Sequence, residues 1–150
     1  MRPRSGFTML ELLIAMTILG VIFSVGGISA YTILKRSQEN SSLNSIQHSI
    51  WQAAGLSSSR GIVTTIVKSG QTLSVKNESS GATLRSFKLA DGVQTNFPEG
   101  EVMRFLPPGE ISEESYQNLP SPITLSTSNG NYTMLVSVIG EAKVVEANEQ

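Results

Sequence analysis

At 150 residues and a formal net charge of −1, the chain has room for one modest domain. Cysteine is absent, which excludes disulfides and thiolate metal sites, and a single histidine leaves little for a catalytic cluster. The near-neutral charge averages two unlike parts, because Ser37–Gln150 carries eleven acids against seven bases and is a poor electrostatic match for nucleic acid.

The chain opens Met1-Arg2-Pro3-Arg4-Ser5-Gly6 and continues Phe7-Thr8-Met9-Leu10-Glu11. It then runs from Leu12 to Leu34 without a charge and meets Lys35-Arg36. As a helix, these 23 uncharged residues span roughly 34 Å at about 1.5 Å per residue, enough for a bilayer core of about 30 Å. Thr17, Ser24 and Ser29, with Tyr31 and Thr32 near the end, are too few to make the polar face of a soluble-core helix, and the stretch reads as a membrane span. Two basic residues on each flank leave its orientation undecided by charge. A secretory signal cut after Ala30 would also use Arg2 and Arg4. Its apolar region would be well beyond the roughly 7–15 residues such signals need, and Glu11 would lie inside it.

Glu11 is the informative residue. A carboxylate in an apolar helix costs about 2.5–3.5 kcal/mol at the bilayer centre, less near the interface, and usually has a partner. Thr8-x-x-Glu11 is a capping box, with Thr8 as N-cap and Glu11 reaching back to its amide. Local capping does not account for the short basic leader and the Gly-Phe bond just upstream. The run from Gly6 to Met16 closely resembles the class III signal of type IV prepilins and type II secretion pseudopilins. The resemblance implies cleavage by a prepilin peptidase between Gly6 and Phe7, N-methylation of Phe7, and a role for Glu11 in neutralising the N-terminal amine of a neighbouring subunit. It also implies a single-pass protein of the bacterial inner membrane with its C-terminal domain periplasmic, whose partners are the peptidase, other pilins or pseudopilins, and membrane lipid. No cofactor or small-molecule substrate is implied. Many major pilins carry a proline midway along this helix, and the matching position here is Ile28, just after Gly26-Gly27.

Beyond Arg36, Leu43, Ile46, Ile50 and Ala53 or Ala54 recur at helical spacing with Trp51 beside them. The helix is therefore expected to continue as an amphipathic segment over 35–60 and to end at Gly55 or Gly61. His48 falls among the polar positions and is expected to face solvent. From Ile62 the pattern turns to strands: 62–68, 72–76, 83–88, 93–97 and 103–106, each set off by a turn signal. Pro107 to Pro122 reads as loop. Ile123–Thr127, Asn129-Gly130 and Tyr132–Val138 form the clearest hairpin, and Ala142–Val145 a last strand. The expected fold is α+β: a long N-terminal helix packed on an antiparallel β-sheet, pilin-like. Its expected parts are a leader over 1–6, a transmembrane segment over 7–34, the amphipathic continuation over 35–60, and a β-rich domain over 61–150.

Within that family the layout is most similar to the GspH/FimT-type minor pseudopilins, on Leu89–Val93, Phe105–Gly109 and the ending from Ile123 to Gly140. Function is thus expected to be structural, as a minor subunit of a secretion pseudopilus or a type IV pilus. The alternative is a tip pilin for DNA uptake or a membrane-anchored binding module. Some FimT-like pilins carry a basic tail, but Gly140-Glu141-Ala142-Lys143 has one acid and one base and transfers no such patch. Glu99, Glu101, Glu110, Glu113 and Glu114 raise calcium binding, yet they lack the spacing of a ligand loop. No nucleophile or phosphate-binding motif suggests an enzyme.

Overall fold

The structure, a computed structural model, describes residues 7–147. Among these residues, helix α1, Met9–Arg60, is followed by nine strands and one short helix. The chain divides into two compact units, Met1–Arg36 and Ser37–Gln150.

In the first unit, α1 contains a stretch of mean hydropathy 2.3, long and apolar enough to cross a membrane, with none of that stretch buried. Two of its hydroxyls are satisfied on the helix itself. Thr17 Oγ1 donates to the Leu13 and Ile14 carbonyls at 2.6 and 3.0 Å, and Ser24 Oγ to Val21 at 2.8 Å. Such back-bonding removes a polar group from the surface of an apolar helix.

In the second unit, α1 continues from Ser37 to Arg60 with Leu43, Ile46, Ile50, Ala53 and Ala54 buried, the stripe its spacing predicts. The stripe is longer than the apolar residues reveal. Glu39, Ser42, Ser49 and Ser57 share it and are buried too. The hydroxyls there have partners: Ser49 Oγ donates to Ile46 O at 2.7 Å, and Ser42 Oγ accepts the Ala90 N–H at 2.8 Å. The helix stops at Gly61, whose φ of 62° is a left-handed stop that glycine tolerates. Of the two expected ends, Gly61 is the one used, and Gly55 lies inside the helix.

The strands divide into two antiparallel sheets. One comprises β1 (Thr64–Ser69), β2 (Thr72–Asn77), β3 (Thr83–Lys88), β5 (Gly100–Leu106) and β6 (Glu110–Ile111), in the order β3-β2-β1-β5-β6. The other comprises β4 (Gln94–Thr95), β7 (Ile123–Thr127), β8 (Gly130–Val136) and β9 (Ala142–Glu146), in the order β4-β7-β8-β9. In the first sheet Ile66 pairs with both Val75 and Met103, so β1 is a central strand and its β-branched run is buried. In the second, Ile123 and Leu125 pair with Met134 and Tyr132. Both sheets and the Ser37–Arg60 stretch of α1 contribute to one core, with Phe105, Met103, Ile46 and Leu125 fully enclosed. The fold class is the expected α+β.

Two expectations need correction. The segment 107–122 is not simply loop: it contains β6 and a short helix α2, Glu113–Asn118. Ser112 caps α2 by accepting the Ser115 N–H at 3.3 Å, and Glu113 and Glu114 fill its first turn, where carboxylates suit the helix dipole. The strand expected over 93–97 shrinks to Gln94–Thr95, because Val93 and Phe97 are drawn into the core on either side of it.

Candidate functional site

The candidate site lies at the head of α1. Gly6 is outside the described residues, so the Gly6-Phe7 bond has no geometry to report. Phe7 is 86% exposed and precedes the first helical residue, Met9. From there the capping box is closed. The Thr8 N–H donates to Glu11 Oε2 at 2.9 Å, Thr8 Oγ1 donates to the same oxygen at 3.0 Å, and the Glu11 N–H donates back to Thr8 Oγ1 at 3.3 Å. The first helical backbone bond, Leu12 N–H to Thr8 O, follows at 3.2 Å. These bonds satisfy amides that a helix start leaves open, and the carboxylate sits at the positive end of the helix dipole.

Two of these three bonds end on one carboxylate oxygen of Glu11, Oε2. Among the described residues, Oε1 has no partner. Capping therefore leaves half of the carboxylate open to a cation arriving from outside the chain. The two readings of Glu11, local cap and docking anion, are compatible in geometry.

The other residues considered from sequence fall elsewhere. His48 is exposed, as expected, and stacks on Trp51 with ring centroids 5.5 Å apart. Glu99 is engaged: its carboxylate accepts from the Lys68 ammonium and, at 3.0 Å, from the Gly70 N–H. These two donors, the lysine first, hold its carboxyl below the ordinary carboxylate range. Glu113 and Glu114 lie on α2, and Glu110 lies on β6. Among the described residues, no three Asp, Glu or His side chains are grouped to hold a metal ion.

Sequence reasoning missed Glu39. Its carboxylate is 1% exposed, and Oε2 accepts from the Ser128 N–H at 3.2 Å and from Ser128 Oγ at 2.6 Å. It thereby ties the β7–β8 turn to α1. The signal was present in the spacing, since Glu39 stands four positions before Leu43 and seven before Ile46 on one helix face. Its polarity gave no sign of burial.

Residues 1–27 match the family model of the prokaryotic N-terminal methylation motif. No match is found among curated proteins or solved structures.

Proposed function

We propose that this type IV pilin-like chain, marked as such by the methylation motif at its head, is a minor subunit of a type II secretion pseudopilus or a type IV pilus. The motif points to a structural subunit and not to an enzyme. Prepilin peptidase cuts between Gly6 and Phe7 and methylates the new amine of Phe7. The subunit sits in the bacterial inner membrane through residues 7–34, with the domain over 61–150 on the periplasmic side and 35–60 joining them. It leaves the membrane by packing its apolar helix against those of other subunits. The likeness to GspH/FimT-type minor pseudopilins supports the minor role.

One observation carries the reading: a half-engaged carboxylate stands on the first turn of α1, just before the uncharged run Leu12–Leu34 and one turn beyond the proposed Gly6-Phe7 cleavage bond, in a segment that matches the methylation motif. Cleavage would create a cation at Phe7. An amine and a carboxylate are each costly in a dry helix core, and each becomes tolerable as the other's partner. Glu11 retains one oxygen for that purpose while the other keeps the helix capped.

Mass spectrometry of the membrane-extracted protein tests the processing step, with the mature chain expected to begin at N-methyl-Phe7. A mature chain beginning at Tyr31 would identify a cleaved secretory protein instead. For assembly, Glu11→Ala is expected to insert in the membrane yet incorporate poorly into filaments. Incorporation at the level of the unaltered chain would reduce Glu11 to a capping residue.

A further inference from the structure

Within the Ser37–Gln150 unit, a furrow follows the outward side of α1 beside β9 and the turn leading into it. Its first stretch, ≈ 380 Å³, is lined by Asn40, Asn44, Gln47, Tyr132 and Glu146 among others. The next, ≈ 320 Å³, shares Asn44 and Gln47 and adds His48, Trp51 and Glu141. The shared residues make the two stretches continuous. Each is within the size range of small-molecule sites.

The chemistry of the lining is uneven in a useful way. Asn40 and Asn44 are exposed and, among the described residues, their amides have no partner in the chain. Gln47 spends only one long N–H bond, 3.4 Å to Ala142 O. Each amide offers both a donor and an acceptor, as each sugar hydroxyl does. At the end of this row stands Trp51, 65% exposed. Its indole is held in place: His48 stacks on it at an interplanar angle of 25°, and Gln52 Nε2 and the edge-on ring of Phe87 hold His48 at 2.8 and 6.2 Å. A large apolar ring kept flat in water beside a row of amides has no use in the core of this unit.

We infer that this furrow binds a neutral, linear, β-1,4-linked glycan of gluco configuration. In such a chain every ring substituent is equatorial, so each ring presents a flat face of C–H bonds to stack on an indole while its hydroxyls point sideways toward amides. Neutrality follows from the charges present. No lysine or arginine lines either stretch, whereas Glu141 and Glu146 do, and they would repel phosphate, sulfate or uronate groups. Linearity follows from the length: Asn40 and Trp51 are eleven positions apart, about 16 Å along a helix rising about 1.5 Å per residue. The inference concerns the single chain and does not depend on its assembly into a filament.

Trp51 is the chain's sole tryptophan, so its emission reports on the furrow directly. The full chain is reconstituted in lipid nanodiscs, since glycoside detergents would compete, and titrated with cellotetraose, chitotetraose and α-linked maltotetraose. A saturable change in emission is expected with a β-linked tetraose and not with maltotetraose. By calorimetry, Asn44→Ala weakens binding at least tenfold and Trp51→Ala abolishes it, while Trp51→Phe retains part. Both positions are exposed, so the unfolding midpoint of each variant should match that of the parent. The inference is overturned by the absence of any saturable response to the β-linked sugars at millimolar concentration, by an equal response to maltotetraose, or by undiminished binding in Asn44→Ala. A sugar-insensitive photocrosslink from position 44 to another polypeptide would equally overturn it, by showing the furrow to be a protein contact.

Discussion

Gly140 closes the turn between β8 and β9 with a φ of 74°, and a Cβ built there would lie 2.6 Å from Ala54 Cβ and 3.1 Å from Phe105 Cε1. Gly61 has nearly the same backbone, φ 62°, yet nothing lies within 4 Å of its would-be Cβ. Alanine at both positions therefore separates the backbone cost from the steric one. The left-handed conformation costs a non-glycine residue about 1–2 kcal/mol, partly offset by the less flexible unfolded chain. Gly61→Ala should thus destabilise the Ser37–Gln150 unit by about 1 kcal/mol. At Gly140 the new methyl meets a carbon about 1 Å inside normal carbon–carbon contact. Ala54 is fixed to a helix backbone and Phe105 is fully enclosed, so neither moves freely. Overpacking of this kind adds about 1–3 kcal/mol. With a urea dependence of about 1–3 kcal/mol per molar, Gly140→Ala should unfold about 1 M earlier than Gly61→Ala. Urea titration of the full chain in nanodiscs, read by pulse proteolysis of the β-rich unit, measures the gap. Coincident midpoints would show that the turn yields to the methyl, and the tight helix-to-turn contact would lose its energetic meaning.

Two further outcomes follow from the polar contacts. Ser128→Ala removes the 2.6 Å hydroxyl bond to the buried Glu39 carboxylate and should cost about 1–3 kcal/mol, seen as a lower urea midpoint, with Ser128→Thr recovering part of it. Glu99 is held below its ordinary range by Lys68 and the Gly70 N–H. Its contribution is therefore complete above the unfolded-chain value of roughly pH 4.3 and is lost as pH falls through the lower folded value. Glu99→Gln should accordingly lower the urea midpoint at pH 7 and leave it nearly unchanged near pH 2. An equal effect at both pH values would mean that the ion pair is not what the substitution removed.

How much of this was legible beforehand depends on the range of the interactions. Thr8 and Glu11 are neighbours in sequence, and the capping box they form is the one their spacing dictates. The stripe through Leu43, Ile46 and Ile50 and the stop at Gly61 are likewise local. Strand positions were also readable, since β3 and β7 coincide with their predicted spans. Pairing was not. Joining β1 to β5 places Ile66 against Met103 across a long separation, and nothing in either segment names the other. The division into two sheets was hidden for the same reason. Polar residues on the buried stripe, Glu39 foremost, were not legible because hydropathy cannot anticipate a distant donor such as Ser128. Helix α2 was lost to its brevity, although Ser112 followed by two glutamates is a start signal in hindsight.

The back-bonded hydroxyls of Thr17 and Ser24 have a consequence for transfer between surroundings. With those groups turned onto their own carbonyls, the stretch from Leu13 to Ser24 shows its surroundings almost nothing except hydrocarbon. Lipid tails and the flanks of sister helices would then be nearly equivalent neighbours for that stretch. Under the proposed function, extraction from a bilayer into a fibre would be decided outside that stretch, toward Glu11 on one side and Lys35-Arg36 on the other.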